Sequence, residues 1–229
     1  MKTKALTILI FFGFGLQNKA QYQGCYFGNG SLPIHNLTSN SGNPQLDAIN
    51  QREYNLLSQI FTVRPNFVYL LDHDIPNAYA TSAITNANFP DGTIMLGFNL
   101  IQEECLKSYS GTCSSVPIIL AHEFAHILDF KFGTGLSWKY KELFADYIAG
   151  SYLYYRAQVY GGINISEVAI SFFSKGNYEF NNPNFHGTPQ ERYTCLDAGY
   201  RLAQQYAASG QNLSLPILMS SALQYVRQF

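Results

Sequence analysis

"IILAHEFAHILDF", residues 118–130, decides how the rest of this chain is read. It is an apolar run interrupted by two histidines and a glutamate, with no Pro or Gly inside it. Such a run suits a helix, and with apolar residues on nearly every side the helix is expected to be buried. Polar groups are costly to bury unless something satisfies them. His122 and His126 are four apart, so on a helix both imidazoles project from one face, with Glu123 beside them.

The pattern is H-E-x-x-H. One helical turn sets two ring nitrogens at about 2 Å from a common ion, which is the reach a zinc ion requires. Glu123 cannot reach that ion as a further ligand. It can reach a water beside the ion, take its proton as a general base and pass it to a leaving amine. Short motifs also arise by chance, but a chance match belongs on an ordinary amphipathic helix. Here the polar groups interrupt an apolar surround.

A catalytic zinc takes a third protein ligand. The extended form H-E-x-x-H-x-x-G-x-x-H is excluded, because Asp129 holds the Gly position and Phe132 the last ligand position. The alternative is a Glu from a following helix, and the candidate is Glu142 in "ELFADYIAG", residues 142–150. Asp146 lies one turn on, where it can accept an N–H from a metal-bound imidazole and raise its basicity. Leu143, Phe144, Ala145, Ile148 and Ala149 surround this pair and argue against a solvated face.

Working outward, residues 44–61 have helical periodicity through Leu46, Ile49, Leu56, Leu57 and Ile60. Residues 66–72, 77–81 and 92–98 are short β-rich runs marked off by Pro65, Pro76 and the Pro90-Asp91-Gly92 turn. Asn99 is expected to cap a helix to Lys107, with Gln102 as its capping-box partner. Ser115 is expected to cap the motif helix, with Pro117 in its first turn, ending near Phe130. Ser137 is placed to cap the next helix, which ends at Gly161-Gly162. Further helices are expected near 165–174, 189–208 and 214–227. Strands first and helices after predict an α+β domain over residues 44–229.

The chain has 229 residues, enough for one sizeable domain, and a net charge of −1 that gives no reason to expect nucleic acid as a partner. Charged residues are only 13%, while Tyr and Phe number 17 each, which suits a folded domain rather than a disordered one. Lys2 and Lys4, then an apolar stretch from Ala5 to Leu16, then polar residues to Ala20, read as a signal peptide over residues 1–20. That apolar stretch is too short for an ordinary span, and no later one is long enough, so no stable membrane insertion is expected after its removal. Residues 21–43 are Gly/Ser/Asn-rich and read as a tail. The expected destination is periplasmic or extracellular. There an even cysteine count favours disulfides. Cys105–Cys113 would staple a short loop and Cys25–Cys195 would tie the tail to the body.

"AHEFAH" followed by "ELFADYIAG" resembles the gluzincin metallopeptidases with an E-x-x-A-D third-ligand helix, a group that includes CaaX-prenyl proteases and a bacterial heat-shock membrane protease. "NAYAT" (77–81) resembles the strand that precedes their active-site helix. "HGTPQER" (186–192) resembles their H-P-x-x-x-x-R segment, and more closely a stretch of the bacterial neutral zinc metallopeptidases. The likeness runs from about Ile75 to Tyr200. It implies a zincin-like fold, with a small antiparallel or mixed sheet packed on an active-site helix and a mostly helical C-terminal half. It also implies Zn2+ held by His122, His126 and Glu142, with Glu123 as base and Asp146 behind a ligand. Asn77, Ala78, Tyr79 and Ala80 would form an edge strand that pairs with an extended peptide. His186 and Arg192 would approach the site from the C-terminal side, where a donor or cation can stabilise an oxyanion. The chain lacks the membrane spans and helical repeats of those enzymes, and Gly187 stands where one branch has proline.

The expected activity is therefore hydrolysis of peptide bonds in a peptide or protein substrate by an exported zinc enzyme. Two rivals are kept. One is a catalytically silent zinc-containing binding domain, against which the presence of Glu123 argues. The other is a zinc amide hydrolase acting on a cell-wall substrate.

Overall fold

Asn43 starts the first helix. Its side-chain oxygen accepts from the backbone N–H groups of Gln45 and Leu46 at 3.0 and 3.3 Å, which satisfies donors that a helix start leaves open. This helix, α1 (Pro44–Phe61), belongs to a computed structural model that describes residues 36–72, 76–180, 182 and 185–229. The expected signal peptide and Cys25 lie outside the described residues. The buried face of α1 is not quite the expected one. It runs through Asn50, Glu53, Tyr54, Leu57 and Phe61, while Ile49 is exposed. The polar members are satisfied inside. The Tyr152 hydroxyl donates to Glu53 Oε2 at 2.5 Å, Arg156 Nε donates to Oε1 at 2.9 Å, and Asn50 donates to the Tyr69 hydroxyl at 3.0 Å.

Four strands form one sheet: β1 (Leu37–Thr38), β2 (Asn66–Leu70), β3 (Ala78–Thr81) and β4 (Thr93–Gly97). Their spatial order is β1-β2-β4-β3, with β2 and β4 parallel and both outer pairings antiparallel. The end of the segment expected as a tail thus joins the sheet, with Leu37 opposite Leu70. β3 is the outer strand at the other edge among the described residues.

Seven helices are described in all, and the remaining six follow β4: α2 (Phe98–Lys107), α3 (Ser115–Phe132), α4 (Trp138–Tyr160), α5 (Ile165–Ser174), α6 (Pro189–Ala208) and α7 (Leu215–Val226). The architecture is α+β with a small mixed sheet, as expected for the class. Among the described residues no helix is long and apolar enough to cross a membrane.

Two expected caps are corrected. Asn99 lies inside α2 and does not cap it; the start of α2 is held from a distance by Asp72, which accepts from the N–H groups of Asn99 and Leu100 at 2.7 and 3.1 Å. Ser115 is the first helical residue of α3 rather than its cap, and α3 runs to Phe132 instead of Phe130. Gly133 closes α3 in the left-handed region at φ 63°, its N–H donating to the Asp129 carbonyl.

α3 lies in the core, against β3 and β4 on one side and α4 on another. Phe124 is its deepest ring, with Tyr54 and Phe61 centroids at 5.6 and 6.4 Å. α6 rests on α4 with backbone against backbone. A methyl group built on Gly150 would come within 1.9 Å of the Leu196 carbonyl oxygen, and one on Gly199 within 1.8 Å of that of Tyr147. The Cys105–Cys113 disulfide ties the end of α2 to the start of α3. Cys195, the expected partner of Cys25, carries a free thiol deep in the core.

Candidate metal centre

α3 and α4 bring three donors to one point. His122 Nε2 and His126 Nε2 are 3.1 Å apart, with the rings nearly perpendicular. From α4, Glu142 Oε2 is 3.4 Å from His122 Nε2 and Oε1 is 3.4 Å from His126 Nε2. All three side chains are buried, and this is the metal-capable group among the described residues. The loop Gly133–Ser137 folds α4 back on α3, and Lys141 locks the pair by bonding Asp129 at 2.8 Å.

The donor set fits a cation. Ligand atoms held about 2.0–2.1 Å from a tetrahedral ion lie about 3.3 Å from one another, close to the separations observed. The contacts of the Glu142 oxygens are His122, His126 and Arg192 at 3.4 Å and His186 at 3.6 Å. All are longer than a well-formed hydrogen bond, and the one cation among them, Arg192, is bonded more closely to Asp146, so room for a further cation remains at Glu142.

The electrostatics point the same way. Burial works against the Glu142 carboxylate, but the imidazoles around it, His126 foremost, outweigh burial and hold it well below the usual carboxylate range. Burial pushes the His126 imidazole down, against the pull of Glu142. A carboxylate held ionised and an imidazole that gives up its proton readily are both what a metal ion takes.

Behind the donors stands a second carboxylate. Asp146 Oδ1 is 2.9 Å from His122 Nδ1. A proton at Nδ1 satisfies that contact and leaves the Nε2 lone pair facing the centre. Arg192 closes the arrangement from α6. Its Nη2 donates to Asp146 Oδ1 at 2.9 Å and its Nε donates to Oδ2, while Nη1 lies 3.4 Å from Glu142 Oε2. Thr188 and Glu191 form a capping box that starts α6 three residues ahead of Arg192.

The residues expected from the sequence are thus placed as follows. His122, His126 and Glu142 converge, and Asp146 and Arg192 back them. Glu123 is fully buried on α3 beside His122. His186 is brought to Glu142 by its Nδ1. Arg192 is engaged bidentately by Asp146, so its guanidinium orients the outer carboxylate. Asn77 and Ala78 lie at the start of β3 and share a small cavity with His122 and Arg192. Ala80 is buried in the core below β3, whereas Tyr79 is partly exposed.

Three contributors had no place in the sequence reading. Asp72 accepts the Asn77 N–H at 3.1 Å as well as holding α2, and so fixes where β3 begins. Phe172 on α5 presents its ring to His122, centroids 6.0 Å apart. Lys175 on the following turn pairs with buried Glu104 at 2.8 Å. None has a local signature, although the Thr188-x-x-Glu191 spacing is a legible capping box.

No family model matches this chain, and no curated protein or solved structure matches it.

Proposed function

We propose that this chain is an exported, zinc-dependent peptidase of gluzincin type with a zincin-like fold. The observation that carries the reading is the convergence of His122 Nε2, His126 Nε2 and a Glu142 carboxylate at 3.1–3.4 Å from one another, with Asp146 on the far nitrogen of His122. Two imidazoles and one carboxylate make the ligand set of catalytic rather than structural zinc sites. When bound, zinc acts as a Lewis acid that polarises a carbonyl and acidifies water.

The chain's own residues have distinct tasks. Asp146 holds the proton on His122 Nδ1 and keeps the ring in its ligating orientation. Arg192 neutralises Asp146, so the pair enters the core without net charge. Glu123 accepts a proton from the attacking water on a carboxylate oxygen. As the C–N bond of the substrate breaks, it delivers that proton to the departing amine nitrogen. The β3 edge offers backbone groups to an extended peptide, a mode of binding tolerant of sequence.

A second reading, the silent zinc-containing domain, draws on burial: Glu123 and His126 both expose 0% of their surface. One experiment separates the two. Zinc content and cleavage of an unstructured protein are measured for the wild type and for Glu123→Gln. Zinc in both with cleavage only by the wild type is the expected result. Zinc in both with cleavage by neither, across varied protein substrates, overturns the peptidase reading in favour of the silent domain.

A further inference from the structure

Beside His122, between the start of β3 and α5, lies a cavity of about 20 Å³. Ala78, Leu100, Ile119 and Phe172 supply its apolar wall, and His122 and Arg192 border it. Phe172 lines it next to His122, with the two ring centroids 6.0 Å apart. The charged groups at the rim are already engaged. Arg192 donates to Asp146, and Lys175 donates to Glu104. What remains to meet an occupant is chiefly hydrocarbon.

Size and chemistry restrict that occupant. A cavity that takes a benzene ring measures about 150 Å³, and one water needs about 10–15 Å³ together with two to four polar partners. A space of about 20 Å³ with this lining therefore suits a group of methyl size better than a water or a long side chain. Its position restricts the occupant further. One wall is a side chain of the candidate metal centre and another is Ala78 of the outer strand, where a paired peptide would run.

We propose that this cavity is a specificity subsite for the residue flanking the bond to be cleaved, and that it selects Gly or Ala there, with Phe172 and Ala78 as the specificity-determining residues. The inference rests on the peptidase reading. Phe172 sets the depth of the subsite and Ala78 its width. Larger side chains are excluded by the Phe172 ring, which is itself fixed by packing in the core.

The test uses zinc-loaded Glu123→Gln protein and peptides that differ only at one residue flanking a central bond: Gly, Ala, Val, Leu or Phe. Binding is measured by calorimetry, and cleavage of the same peptides by the wild type is read by mass spectrometry. Ala is expected to bind and be cleaved at least about tenfold better than Leu or Phe, the discrimination one or two methylenes provide in an apolar pocket. Phe172→Ala, introduced in both backgrounds, is expected to shift the ranking toward Leu by about tenfold or more. Because Phe172 is a core residue, Ala78→Val serves as the second variant; it narrows the cavity and should move the preference from Ala to Gly. Peptides that bind without size ranking, or a ranking unchanged in both variants, overturn the subsite alone. No binding and no cleavage of any peptide overturns the peptidase reading and the subsite with it.

Discussion

Arg192 grips Asp146 with two nitrogens, and the same carboxylate reaches His122 Nδ1 at 2.9 Å. One carboxylate therefore connects α3, α4 and α6. All three partners are buried, so each depends on the others for solvation. A charge left alone in such a place costs far more than the intact pair contributes.

Replacing Asp146 is expected to act on both folding and metal binding. Asp146→Leu leaves Arg192 with its looser 3.4 Å contact to Glu142 and should cost about 3–5 kcal/mol of unfolding free energy. Asp146→Leu combined with Arg192→Met removes both charges and should recover much of that loss. Zinc affinity should fall about 10–100-fold in either protein, because the imidazole loses its outer partner. Urea unfolding of the metal-free proteins and zinc competition with a chelator measure the two effects separately.

Glu142 is expected to matter more for metal binding than for the fold. Its carboxylate is buried with contacts of 3.4 Å or longer. Glu142→Gln should lose stoichiometric zinc, and because its surroundings favour the ionised carboxylate in the fold, its metal-free form should be less stable than metal-free wild type at pH 7, by roughly 1–3 kcal/mol. Added zinc should raise the Tm of the wild type and leave that of the variant unchanged. A variant that still holds one zinc per chain would remove Glu142 from the ligand set.

Acid stability should depend on Glu104. Burial raises its carboxyl pKa, but the Lys175 ammonium at 2.8 Å outweighs this and leaves it below its ordinary 4.5. A depressed native value means the unfolded chain binds the proton more readily. The pair's contribution is thus complete above pH 4.5 and is lost as pH falls through the lower native value. Glu104→Gln should cost about 3 kcal/mol at pH 7. Its unfolding free energy should then decline less steeply than the wild type's below pH 4.5, as measured by urea titrations across pH.

Gly199→Ala should destabilise the protein, although Ala favours a helix by about 1 kcal/mol over Gly. The added carbon would stand 1.8 Å from the Tyr147 carbonyl oxygen, so α6 must move away from α4. That movement carries Arg192 from Asp146. A lower Tm together with weaker zinc binding is expected. A higher Tm would show that the helices do not meet at this glycine.

The local parts of the site were legible in the sequence, and the distant parts were not. His122, Glu123 and His126 declare themselves because helical periodicity alone puts them together. Glu142 followed by elimination, since Asp129 and Phe132 cannot complete a longer motif. The helices at 44–61, 165–174 and 189–208 were readable from caps and periodicity. The buried face of α1 was misjudged because Glu53 and Asn50 are polar; only the fold reveals Tyr152, Arg156 and Tyr69 waiting to satisfy them. Asp72 was invisible for the same reason. It sits 27 residues from one donor it accepts from. The two interhelical glycines carry no signal until the helices are seen to cross.

That crossing also divides labour within the molecule. The ligands and their supports lie on α3, α4 and α6, and the height of α6 over α4 is set by main-chain atoms that every sequence shares. Apart from Ile119 and the shared His122 and Arg192, the cavity beside the centre is walled from other elements and their flanks: Asn77 and Ala78 at β3, Leu100 on α2, and Phe172 and Lys175 at α5. On the proposed reading, substitutions in those three elements would reshape what is selected while the donor geometry stays where the backbone contact puts it. The proposed selectivity could then drift, or be redesigned, with little effect on the three converging donors.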